Sequence, residues 1–164
     1  MGVETKWRVR QHVDWRSGLP DRGGEVCENG HTHCSAFAAA AQALDVRILR
    51  PPEHSAKLLA NAQFDWLAGA GEGWRPLADF GAAQAAANAG ELVVAVYKSH
   101  RADTSGHIAI VKPASRSEAE LAADGPLVIR AGTVNSDAIT LREGFAGHPA
   151  AWRDREIRSY VHAL

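Results

Sequence analysis

The chain has 164 residues and 46% apolar side chains, which suffices for one core and predicts a single domain over residues 1–164. Its formal net charge of −1 excludes a general nucleic-acid binder, which needs a basic surface to pair with phosphates. No apolar run approaches the roughly 18 residues that a membrane span needs. Met1 to Arg10 are polar and hold no apolar signal-peptide core, so synthesis in the cytoplasm without a signal peptide is expected.

Met1 to Gly30 is rich in Gly, Asp, Arg and Trp, with Pro20 and the Gly23-Gly24 pair, and reads as an irregular lead-in. From Ser35 the chain turns helical. Ala36 to Ala43 is nearly all alanine, the best helix former, and Phe37, Ala41, Leu44 and Ile48 share one face. Pro51-Pro52 stops that helix. A second helix is expected within His54 to Leu67, with Leu58, Leu59 and Ala62 inward. A loop follows at Gly69 to Gly73, before Trp74. A third helix over Leu77 to Ala89 is closed by Gly90.

The pattern then changes. Leu92 to Tyr97 reads as a buried strand, His107 to Val111 as another ended by Pro113, and Leu127 to Arg130 as a third. Ala138 to Leu141 is a candidate short strand, and Glu156 to His162 a last one. Helices precede strands, and the short Lys98 to Gly106 link suits antiparallel neighbours. The order predicts an α+β fold with N-terminal helices packed on a mostly antiparallel β-sheet.

Cys34 stands where the Gly30-His31-Thr32-His33 loop meets the alanine-rich helix. A helix N-terminus offers free N–H groups and partial positive charge. Both favour thiolate, the nucleophilic form, over thiol. The alternative is a small buried apolar residue. Cys27 is the only other cysteine, and a Cys27–Cys34 bridge would leave Cys34 inert while oxidised. Cys27, His31, His33 and Cys34 also supply two Cys and two His, but Cys-x3-His-x-His-Cys fits no usual zinc-ligand spacing. No cofactor is expected.

His107 follows Ser105-Gly106 at the mouth of an apolar strand and shares a face with Ala109 and Val111. A neutral imidazole there can take a thiol proton and return it to a leaving amine. Taken alone, His107 reads more readily as a core histidine that satisfies a backbone group. A third group that accepts the ring N–H would orient it. Asn135 and Asp137, in the Ala131-to-Asp137 stretch, are the candidates, and both are also turn residues.

Taken in order, these pieces resemble the NlpC-type and CHAP-type peptidoglycan amidases. They are Cys34-Ser35-Ala36-Phe37 opening a helix, Trp74, Ala85 to Ala95, Gly106 to Val111, and Ala131-Gly132 with Asn135. The resemblance runs from Cys27 onward and is nearest to amidase effectors that bacteria inject into rivals. It implies a papain-like fold and hydrolysis of an amide in the peptide stems or cross-links of peptidoglycan. It also implies Cys34 as nucleophile and His107 as base. In NlpC-type members a polar residue on the strand after the histidine strand orients the base. The matching place here is Arg130, which has no acceptor, so the role passes to Asn135 or Asp137. Papain-like enzymes also carry an oxyanion-donating Gln upstream of the cysteine. This chain has Glu28 and Asn29 there, and of the two Asn29 can donate. An injected toxin implies delivery by a secretion system to the periplasm or wall of a target, and an inhibitory immunity protein in the producer.

Two further readings share these residues. A protein deamidase or transglutaminase-like enzyme would use the same Cys–His–Asn chemistry. A non-catalytic wall-binding module would use Trp7, Trp15, Trp66, Trp74 and Trp152 as a binding face, although tryptophans more often pack cores and rims.

Overall fold

The computed structural model describes residues 60–69, 71, 73–101, 103–131 and 135–162. The lead-in, the alanine-rich helix, Cys27, Asn29, His31, His33, Cys34, Trp7 and Trp15 lie outside them. The described residues form helix α1 (Ala60–Ala68), strand β1 (Trp74–Pro76), helix α2 (Phe80–Asn88), β2 (Leu92–Tyr97) and β3 (His107–Val111). Helix α3 (Glu118–Asp124), β4 (Leu127–Arg130), β5 (Ser136–Thr140), α4 (Leu141–Gly144), α5 (Pro149–Arg153) and β6 (Arg158–His162) follow.

The six strands make one sheet in the order β1-β6-β2-β3-β4-β5, and every neighbouring pair is antiparallel. The α+β class and the antiparallel sheet match the expectation from sequence. β6, last in the chain, enters the sheet beside β2 through Val93↔Val161 and its neighbours. Among the described residues, no helix is long and apolar enough to cross a membrane.

Both faces of the central strands are covered, which explains why β2 reads as an unbroken apolar run rather than an alternating one. Val94, Val96 and Ile108 face Ala60 and Leu67 of α1, with Trp74 and Tyr160. Val93, Ala95, Ala109 and Val111 face Ala83 and Ala87 of α2, together with Leu141, Phe145 and Ala151. Val93, Val94 and Val96 are wholly buried, each contributing on the order of 1.5–3 kcal/mol.

The helix bounds depart from the sequence expectation in ways that capping explains. α1 buries Ala60, Gln63 and Leu67, at helical spacing, and Ala62 is only half-buried. The helix expected from Leu77 begins at Phe80, because the Asp79 side chain accepts from the Ala82 N–H and fixes the N-terminus there. Gly90, at φ +90°, closes it as expected. Trp74-Arg75-Pro76, to which the sequence assigns no element, is a strand held by pairing with β6 at the sheet edge, where a proline is tolerated. α3 and α4 each start at a capping box, Ser117 with Glu120 and Thr140 with Glu143. Gln84 and Asn88 of α2 grip the chain as it leaves β3. The Gln84 Nε2 donates to the Lys112 carbonyl at 2.9 Å, and the Asn88 Oδ1 accepts from the Ala114 N–H at 2.8 Å.

Candidate active site

One end of the sheet gathers the chemistry. β3 starts there with His107, β2 ends there with Tyr97, β4 ends there with Arg130, and β5 starts there with Ser136. Tyr97 lies directly across from His107, and Ser136 across from Arg130. The register that pairs Val111 with Val128, continued toward this end, sets Arg130 beside Ala109. Arg130 and His107 are therefore diagonal neighbours on the same face.

The connection into His107 is held by one side chain. The Asn61 Oδ1 on α1 accepts from the Ser99 N–H at 3.0 Å and from the Gly106 N–H at 2.9 Å. It thereby clips the start of the 98–106 link to its end. Gly106 is required there: a Cβ would collide with the Tyr97 carbonyl oxygen and meet the Asn61 Oδ1 at 2.7 Å. Asn61→Ala leaves two part-buried N–H groups without their acceptor. It is expected to cost about 1–3 kcal/mol in urea unfolding, whereas Asn61→Asp, which keeps an acceptor, is expected to cost less.

His107 is only 5% exposed. Phe145, the C-cap residue of α4, meets its ring edge-on at a centroid distance of 4.8 Å. His148 lies near-parallel to it at 6.1 Å and 23°. Nε2 of His107 is buried with no hydrogen-bond partner among the described residues. Burial first, then the Arg130 guanidinium and then His148, push the imidazole down to about 3, so it is neutral at physiological pH. Burial, with Arg130 second, also lowers the pKa of the half-buried His148.

The sequence does not single out His148. It is the N-cap of α5, its side chain makes no capping bond, and Pro149 follows at the first helical position. The ring instead lies against Tyr97 at 5.3 Å and against His107. The Pro149 that follows is the local signal that a helix starts there.

Asn135 and Asp137 both stand near the start of β5, two strands from His107, and both are half-buried. The aromatic rings in contact with His107 are those of Phe145 and His148. Cys34 and Asn29 are outside the described residues, as is the Cys27–His31–His33–Cys34 cluster. Among the described residues no group of three or more His, Cys, Asp or Glu could hold a metal ion. Trp74 is buried in the core, and Trp152 stacks on Phe80 at 5.7 Å and 11°, so both serve packing.

The arrangement offers a neutral, desolvated imidazole fixed by a strand and walled by aromatic rings, with Nε2 unpartnered among the described residues. Such a group can accept a proton from a nucleophile brought against it. Compared with protein-family models and with curated proteins, the chain matches none.

Proposed function

We propose that the chain is a papain-like cysteine hydrolase that cleaves an amide in the peptide stems or cross-links of peptidoglycan, with Cys34 as nucleophile and His107 as base. The observation that carries the reading is the buried Nε2 of His107, which has no hydrogen-bond partner among the described residues, at the mouth of β3. Burial of a polar nitrogen costs free energy unless a partner meets it. A thiol from Cys34 would be that partner.

In this reading the Cys34 thiol gives its proton to His107 as sulfur attacks the amide carbon. The thiolate and the imidazolium then stabilise each other, which offsets the low proton affinity that burial imposes on His107. Asn29 and the N–H groups of the Cys34 turn hold the oxyanion, His107 returns the proton to the leaving amine, and water releases the acyl group. Asn135 is the preferred orienter because its carboxamide can accept a ring N–H, and Asp137 is the substitute. As an injected effector, the enzyme would act in the wall of a rival bacterium, and its producer would hold a neutralising partner.

The test is to incubate the purified protein with bacterial wall fragments and read the products by mass spectrometry. A new amine with a mass gain of one water supports the reading and identifies the bond. Ammonia release from protein glutamine with no change in the wall fragments would replace it with the deamidase reading. Binding of the fragments without cleavage would replace it with the binding-module reading.

A further inference from the structure

We infer that Arg130 is a positioning residue for His107: it ties residues 144–148 to the sheet so that Phe145 and His148 close over the imidazole. The inference rests on the reading of His107 as the base and deepens it.

The contacts form a continuous chain. Arg130 is 9% exposed, and its Nη1 donates to the Gly144 carbonyl at 2.8 Å inside the protein. Gly144 packs tightly on β4, where a Cβ would sit 3.1 Å from a Val128 methyl. The next residue, Phe145, is wholly buried and presents its ring edge to His107. The Phe145 carbonyl accepts from the His148 N–H at 2.8 Å, which sets the backbone from which the His148 ring reaches His107 and Tyr97. A buried hydrogen bond from β4 therefore anchors the start of the segment that supplies both rings, beside the burial of Leu141 and Phe145.

The position has chemical sense. An orienting acceptor here would favour imidazolium, whereas a guanidinium disfavours it. Arg130 thus keeps the base neutral and seated until a negatively charged partner forms against it. The titratable or charged groups found around His107 among the described residues are Tyr97 on β2, Arg130 on β4 and His148 after α4. Of these, Arg130 and His148 oppose a proton on the ring.

The test compares wild type with Arg130→Met, which keeps the stem and removes the guanidinium, and with Arg130→Lys. One readout is the titration midpoint of the His107 ring by nitrogen-15 NMR. The other is kcat and KM for cleavage of wall-peptide fragments. For Arg130→Met, we expect the His107 midpoint to rise by about a unit or more. We expect kcat to fall on the order of a hundredfold, with KM changed far less, because the base is misplaced rather than the substrate unbound. Arg130→Lys should keep the midpoint low and recover part of kcat.

A folded Arg130→Met protein with the wild-type midpoint and kcat would overturn the inference. If Arg130→Met does not fold, His148→Gly removes one ring from over the imidazole and leaves the guanidinium in place. It should raise the midpoint and lower kcat, and no change in either would overturn the inference. The two levels separate cleanly. If Cys34→Ala cleaves like wild type, the base reading fails; if it is silent and Arg130→Met is unaltered, only the positioning role fails. The ring titration needs no substrate, so it decides the positioning even where the fragments are not cut.

Discussion

Replacing His107 by glutamine is expected to slow cleavage of wall-peptide fragments by roughly 10²–10⁴-fold, the usual worth of a positioned general base. Glutamine keeps a polar tip of similar reach but cannot accept the thiol proton at neutral pH. The loss should therefore appear in kcat, with KM little altered. Raising the pH toward the thiol's own range should recover part of the rate, because the thiolate then forms without a base. An unchanged kcat at neutral pH in a folded His107→Gln protein would remove the imidazole from the chemistry. It would leave His107 as a core histidine between Tyr97, Phe145 and His148.

The second large effect is on stability, and its direction follows from the protonation of His107. The folded protein holds this imidazole at about 3, whereas an unfolded histidine titrates near its ordinary value of about 6.5. Between those values the unfolded chain binds a proton that the folded chain refuses. The stabilising contribution is complete above about pH 6.5 and is lost progressively as pH falls toward 3. Each unit of difference corresponds to about 1.4 kcal/mol, so the full swing is on the order of a few kcal/mol. That is a large share of the 5–15 kcal/mol typical of a domain. Half-buried His148, lowered for similar reasons, adds to the effect in the same direction. Urea unfolding at pH 7 and pH 4 measures it. The wild-type midpoint should fall more steeply on acidification than that of His107→Gln, in which this group is absent. Equal pH dependence in the two proteins would mean that His107 is not the desolvated neutral group described above.

Much of the fold was legible because strands buried on both faces leave an unmistakable pattern. Leu92–Tyr97, His107–Val111 and Leu127–Arg130 lie where their apolar, β-branched runs predict them. β1 was not legible, since three residues ending in Pro76 become a strand only by pairing with β6, from the far end of the chain. α3 and α4 were missed although their signals were present: Ser117-x-x-Glu120 and Thr140-x-x-Glu143 are capping-box sequences. α5 likewise announces itself only by Pro149.

The site divides along the same line. His107 was legible because Gly106 precedes an apolar strand, and the collision awaiting any Cβ at Gly106 gives that glycine its reason. Arg130 was noticed only as a residue unable to orient an imidazole. One of its partners, the Gly144 carbonyl, comes from a separate helix and has no local sequence signature. Phe145 and His148 reach His107 by the same non-local route. Asn135 and Asp137 are candidates from the stretch after β4, and they stand at and just before the start of β5.

The pairing of Cys34 with His107 is the central claim, and one comparison tests it most directly. Wild type and Cys34→Ala are incubated side by side with bacterial wall fragments at neutral pH, with thermal unfolding as the check on folding. Wild type is expected to release a new amine with gain of water, and Cys34→Ala, equally folded, to release none. Cleavage by Cys34→Ala at the wild-type rate would contradict it.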